Sequence, residues 1–415
     1  MGTYDIGIAG CGIAGLATAL LLARDGHSVR IYERFAQPQP LGSGLLIQPT
    51  GLAVLERLGL AGMLVQRGAR VRSIRGENRN GERVLDARYG DLSSSDVFGV
   101  GIHRATLFEA LFAAVASAGI PLESGCDVTA VVEEGASKRL AFLDGRISRR
   151  HDLIVDCLGV ASALTSDGGA WLPFGALWAN VACHQGDPFD LERLEQRYDR
   201  ASRMVGVLPI GGGQIALFWS LRADRHDAWR AAGLCEWKAE VAELWPNCAC
   251  LLERIDQPQE LTFARYAHRT ALQPVEGRTI HIGDAWHSAS PQLGQGANMA
   301  LLDAWALAKG LRECGDIDEG LRRFLALRRP HVRLYQWLTA LVTPLYQSDA
   351  LAPALLRDVL LAPLSRIGPA PRIQASLVAG LVGNPLAALG LDMPRYDELS
   401  DGSVCQADGG LAEKT

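Results

Sequence analysis

The chain has 415 residues and carries 41 basic against 46 acidic side chains, a net charge of −5, with 48% hydrophobic and 21% charged residues. This is an ordinary globular balance, long enough for two domains, and without a basic excess it argues against nucleic acid or an anionic membrane surface as a partner. Nine cysteines, none spaced C-x-x-C, read as reduced thiols, so neither a disulfide framework nor a metal site is expected.

The first 33 residues read as strand, glycine turn, helix, strand and acid. Gly10, Gly12 and Gly15 form G-x-G-x-x-G around Ile13 and Ala14, and Glu33 closes the second strand, followed by Arg34. The first glycine permits the tight turn and the second lets a pyrophosphate approach the backbone. The third lets the helix pack closely on the strand. The helix N-terminus supplies N–H groups and partial positive charge to phosphates, and Glu33 stands where a ribose acceptor is needed. Residues 6–23 are uncharged over the length of a membrane span. No basic stretch precedes them, and the glycines fall at fingerprint spacing. A buried strand and helix explain the run better, so a cytoplasmic protein without an integral membrane span is expected.

Further along, Gly42-Ser-Gly44 leads into Leu45–Pro49 and a helical pattern ending at Gly59. Residues 68–100 read as short strands and turns. His103-Arg104 opens a helix over Ala105–Ala118. Strands are expected at Asp127–Glu133, Arg139–Leu143 and Leu153–Asp156. Residues 170–275 are rich in Trp and Phe and alternate like an antiparallel sheet, interrupted by one amphipathic helix over about 225–244. A buried strand returns at 279–283, followed by a glycine turn and a helix over about 296–311. Residues 316–345 are helical, with Arg322, Arg323, Arg328 and Arg329 read as a solvated face. Prolines then break short apolar helices. The expected fold is α/β: a Rossmann-like nucleotide domain from 1–70, 101–170 and 276–330, with an inserted β-sheet substrate domain from 71–100 and 171–275. A C-terminal helical segment over 331–394 and a frayed tail over 395–415 complete it.

The segment Gly283-Asp284-Ala285-Trp286-His287 runs into Pro291, Gly294, Gly296, Ala297 and Asn298. Asp284 would sit where the end of a strand meets a ligand crevice, and the following helix N-terminus would face that crevice. Taken with the first fingerprint, Arg104 and Asp156-x-x-Gly159-x-x-Ser162, this order and spacing resembles the FAD-dependent aromatic hydroxylases of the para-hydroxybenzoate hydroxylase type, over roughly residues 3–340. The resemblance implies that Gly10, Gly12 and Gly15 hold the FAD pyrophosphate and Glu33 the adenosine ribose. It implies that Arg104 and Asp284 contact the ribityl–phosphate region, and that the Gly294–Asn298 turn lies against the flavin pyrimidine edge. Asp156 belongs to a middle motif that reads D-G-x-x-S-x-x-R in the family. Here Cys157 and Thr165 replace its Gly and Arg, which leaves NADH against NADPH open.

The reaction implied is NAD(P)H reduction of FAD, O2 capture as a C4a-hydroperoxide, and hydroxylation of an aromatic or natural-product-like molecule. Baeyer–Villiger oxygenation, epoxidation, oxidase activity and a non-catalytic protein of the same fold are the alternatives. Candidate substrate residues are Trp178, His184, Phe218, Trp219, Tyr266 and Trp286, with at most one of Phe218 and Trp219 able to face the pocket. His287 is the candidate proton relay. A monomer or homodimer is expected.

Overall fold

The computed structural model describes residues 2–38, 42–92, 96–165 and 169–400. A six-stranded sheet forms the centre, in the order Val275–Glu276, Thr279–His281, Leu153–Asp156, Asp5–Ala9, Ser28–Glu33, Leu122–Ser124. Its strands are parallel except for the terminal Val275–Glu276. Ile6 and Ile8 are fully buried on one face, under the helices Ile13–Arg24 and Gly296–Glu313. Ala9, Tyr32 and Ile154 face the other side, under the hairpin of Val128–Glu134 and Ser137–Phe142. Cover on both faces accounts for the unbroken apolar runs.

The second sheet has seven strands, in the order Thr262–His268, Ala170–Ala182, Gln214–Arg222, Arg203–Gly211, Arg193–Asp199, Ser73–Asn78, Arg83–Arg88. All pairs are antiparallel except Arg193–Asp199 with Ser73–Asn78. Period-two alternation gives it two apolar faces. Leu177, Ala179, Val205, Val207, Leu217 and Trp219 point to an outer layer of helices. Leu208, Ile210, Ala216 and Phe218 point to the main core. In the outer layer the expected single helix is two, His226–Ala232 and Leu234–Leu244, because Gly233 takes a positive φ of 82°. A small sheet of Gly44–Ile47, Gly99–His103 and Ala69–Val71 packs against the strand Arg203–Gly211 of the second sheet. A Cβ at Gly44 would come 2.5 Å from Ala216 Cβ, so only glycine allows this close seating.

The long helix Ile317–Tyr346 is capped by Asp316, whose side chain accepts from Glu319 N. Short helices follow to residue 400. Residues 396–400, placed in the expected frayed tail, form a helix instead. Tyr396 is buried and packs edge-on against Phe98, with centroids 4.8 Å apart, which fixes the helix Tyr396–Ser400. The rest of the tail lies outside the described residues. Among those described, no helix is long and apolar enough to cross a membrane, and no group of His, Cys, Asp and Glu is arranged to hold a metal.

Candidate active site

The fingerprint turn is shaped by what each glycine meets. Gly10 has φ 103°, and a Cβ there would lie 2.6 Å from Cys157 O. A Cβ at Gly15 would lie 2.1 Å from Gly10 O. Gly12 has nothing within 4 Å of its Cβ position, is exposed, and stands at the start of Ile13–Arg24 with no side-chain cap. Open space over an uncapped helix N-terminus fits an oxyanion. Glu33 lies beside it: Oε2 accepts from Cys11 N at 2.9 Å and Oε1 from Phe35 N at 3.0 Å. Each oxygen keeps a lone pair for a hydroxyl. Arg34 is exposed next to it, its guanidinium over the Phe35 ring.

Gly283 joins this turn to the second glycine segment. It has φ 59°, and its Cβ position lies 3.3 Å from Ala300 Cβ and 3.4 Å from Ala14 Cβ. The first turns of Ile13–Arg24 and Gly296–Glu313 therefore flank it. The second helix is also uncapped by a side chain, and Gly296 is exposed at its start. Asp284 is exposed and directs Oδ1 to 4.0 Å from the Gly296 Cβ position, while Pro291 is exposed and Ala297 half-buried along the same turn. Gly294 adopts the left-handed conformation the turn requires. Arg104, exposed at the start of Arg104–Ser117, passes over Gly42, and its N donates to Ser43 O.

Two residues expected at the cofactor are engaged by protein partners instead. Asp156 is buried, and its carboxylate accepts from Leu158 N at 2.9 Å, Ser162 Oγ at 2.6 Å and His281 Nδ1 at 2.7 Å. It shapes the loop that abuts Gly10 and has no open face. The buried Asn298 side chain is likewise fully engaged. Its Oδ1 accepts from Gln48 N at 2.8 Å, and its Nδ2 donates to Leu46 O and Gly294 O at 3.1 and 3.0 Å. That clamp ties the Gly294 turn to the strand Gly44–Ile47.

His287 is a correction. It is buried, with Nε2 2.6 Å from Asp303 Oδ2, in a closed network rather than at an open pocket. Asp303 Oδ2 also accepts from Gly283 N at 2.9 Å, and Oδ1 from Arg328 Nε at 2.7 Å. Burial alone pushes the Asp303 carboxyl up, but the His287 imidazole and the Arg328 guanidinium override it and hold it down at about 2. Arg328, read from sequence as solvated, is fully buried here. It continues the network to His331 Nδ1 at 2.9 Å, and His331 Nε2 lies 3.3 Å from Gly380 O. Trp286 is a core filler, packed on Phe324 and His287.

Of the substrate candidates, Trp178, Phe218 and Tyr266 come together. Trp178 Nε1 donates to Tyr266 Oη at 3.2 Å, and its ring lies 4.7 Å from that of Phe218. All three are on the sheet face turned toward the strand Gly44–Ile47. Gly206 makes room for the Phe218 ring, which a Cβ would meet at 2.1 Å. Trp219 points the other way into the outer core and leaves the site. His184 sits in an exposed loop at the sheet's end, where its N donates to Asp187.

Three residues were missed. Gln48 is buried between Tyr89, whose hydroxyl donates to Gln48 Oε1 at 2.5 Å, and the Gly294 turn, and its Nε2 has no hydrogen-bond partner among the described residues. Asp303 was visible as the one acid inside the apolar run Met299–Leu311. Arg269 is buried without a carboxylate partner among the described residues and donates to Thr165 Oγ1 at 2.8 Å. A guanidinium thus reaches the position where Thr165 replaces the motif's arginine.

The model of the FAD binding domain family matches residues 3–332. The chain belongs to the FAD-dependent aromatic hydroxylase family. It is 30% identical over 363 residues to a 3-amino-4-hydroxybenzoate 2-monooxygenase of Streptomyces platensis, covering 79% of this chain and 85% of that one. It is 29% identical over 367 residues to the salicylate hydroxylase of Pseudomonas putida, covering 78% and 82%. Among solved structures, the tetrameric form of 2-methyl-3-hydroxypyridine-5-carboxylic acid oxygenase is similar, with TM-score 0.76 and 20% identity over 93% of this chain and 98% of that one. Klebsiella pneumoniae HpxO complexed with FAD and uric acid gives TM-score 0.78 and 21% identity, covering 92% and 98%. The chain is an FAD-dependent monooxygenase, and the open space at Gly12 and Gly296 suits that cofactor.

Proposed function

We propose that this enzyme uses NADH or NADPH and O2 to hydroxylate an aromatic molecule held between FAD and the Trp178–Phe218–Tyr266 face. The observation that carries the reading is the pair of uncapped helix N-termini flanking Gly283, joined through Asn298 and the strand Gly44–Ile47 to that face. Gly10, Gly12 and Gly15 cradle the pyrophosphate, Glu33 takes the ribose hydroxyls, and Arg34 lies beside the adenosine. Arg104 and Asp284 hold the ribityl–phosphate region. Pro291 and Gly294 shape the turn, whose Gly294 N–H donates to Pro291 O, and Gly296 and Ala297 would place backbone N–H groups and the helix dipole against the pyrimidine edge, where they would stabilise negative charge. FAD, when bound, supplies the redox and oxygen-activating chemistry.

The protein's own part is positioning and exclusion of water. Asp303 holds Gly283 N–H, and through it the Asp284 turn. Trp178 and Phe218 offer two rings tilted by 32° to one another, and Tyr266 fixes the Trp178 indole by accepting its N–H. The relatives' names, an aminohydroxybenzoate monooxygenase and a salicylate hydroxylase, support a hydroxylated aromatic substrate. Reduced cysteines throughout the described residues support the cytoplasm as its place, and the enzyme works as a monomer or homodimer.

The test is NAD(P)H oxidation against a panel of hydroxylated aromatic compounds, with mass spectrometry of the products. A gain of one oxygen atom coupled to NAD(P)H consumption is expected. Consumption that yields only hydrogen peroxide with every compound would make the protein an oxidase instead.

A further inference from the structure

Nine aliphatic side chains between Leu351 and Ile373 are more than a third exposed, Val359 at 72% and Ile367 at 65% the most. They lie on the helix Leu351–Leu355, the wider-wound turn Leu356–Leu361 and the helices Ala362–Leu364 and Ala370–Val378. The reason the face turns outward is Arg357. Its side chain points inward and is buried, donating to Leu345 O at 2.9 Å and Arg200 O at 3.0 Å, over the rings of Tyr198 and Tyr346. Anchoring this residue to the body of the molecule leaves Leu355, Leu356, Val359 and Leu360 in water. The long helix against which Leu351–Leu355 packs adds exposed Trp337 and Leu341.

The nine side chains leave on the order of 900 Å² of aliphatic surface exposed, more than the roughly 300–600 Å² of the largest patch on a typical monomer. It is close to the about 800 Å² that each partner brings to a standard interface. A membrane-lying helix carries a Lys- and Arg-rich polar face. The stretch 351–373 has no lysine, and of its three arginines Arg357 faces inward and Arg366 donates to Arg83 O.

We propose that this face is the interface of a homodimer, a second copy of the chain laid on the first across a two-fold axis, so that one apolar patch meets itself. Trp337 is the aromatic anchor of the kind that dominates such contacts.

The experiment is sedimentation velocity and light scattering on the full, FAD-loaded chain, with Val359→Glu and Ile367→Glu as variants. The wild type is expected at twice the 44.6 kDa chain mass, and each variant at the single-chain mass with unchanged flavin content and circular dichroism. A wild type at single-chain mass up to its solubility limit overturns the proposal, as does a dimer that survives both substitutions. Single-chain wild type that floats with phosphatidylcholine vesicles overturns it in favour of a lipid surface.

Discussion

Replacing Gly12 with valine separates folding from cofactor binding. Gly12 has φ −82° and ψ −175°, which valine adopts, and its Cβ position is free of protein atoms within 4 Å. The cost to the apoprotein is limited to a poorer helix start, at most about 1 kcal/mol. In a chain of this size that moves the melting temperature by no more than about 3 °C. The isopropyl group occupies the space the pyrophosphate needs. Loss of even one charge-assisted hydrogen bond there removes about 1.5–3 kcal/mol of binding, which weakens FAD by roughly 10- to 100-fold. Gly15→Ala is the contrast: its methyl would sit 2.1 Å from a backbone oxygen, so it damages the fold itself. The assay pairs thermal melting of the apoproteins with FAD titration by flavin fluorescence. Wild-type FAD affinity in Gly12→Val, or an apoprotein that melts as low as Gly15→Ala, would refute the placement of the phosphate site.

Asp303→Asn removes the countercharge of the buried Arg328 and should destabilise the protein by about 3–5 kcal/mol in chemical denaturation; a loss under about 1 kcal/mol would show that the network is not closed. His331 accepts from Arg328, and burial first, then that guanidinium, pushes its imidazole down to about 3. The unfolded chain binds this proton near pH 6.5 and the folded chain does not, so stability is full above that pH and falls below it. The loss amounts to about 2 kcal/mol by pH 5. His331→Gln should flatten the slope between pH 7 and 5 by that amount, and an unchanged slope would contradict the assignment. Trp219→Ala should cost about 3–5 kcal/mol of stability and leave the ranking of substrates unchanged, whereas Trp178→Ala should alter substrate KM. The opposite pattern would show that the two faces of the sheet have been exchanged.

Much of the fold was legible because its signals are local. The glycine fingerprint, the parallel strands at Asp5–Ala9 and Leu153–Asp156, and the alternation along Gln214–Arg222 each follow from short-range pattern. Period two also required Phe218 and Trp219 to diverge, but which one faces the site depends on the layers that cover the sheet. His287, Asp156 and Asn298 carry the right chemistry at the right spacing, yet all three turn to protein partners more than 15 residues away or across a loop. Arg328 follows a charged helical run and gave no sign of its burial, because its acid, Asp303, is on another helix. Gly233 falls inside the expected helix over about 225–244, and its positive φ breaks that helix in two.

A monooxygenase of this kind transfers one atom of dioxygen to its aromatic substrate in front of FAD. Turnover under isotopically labelled dioxygen tests it directly. The expected product carries a single labelled oxygen for each NAD(P)H consumed. An unlabelled product, or labelled hydrogen peroxide alone in stoichiometric amount, would contradict it.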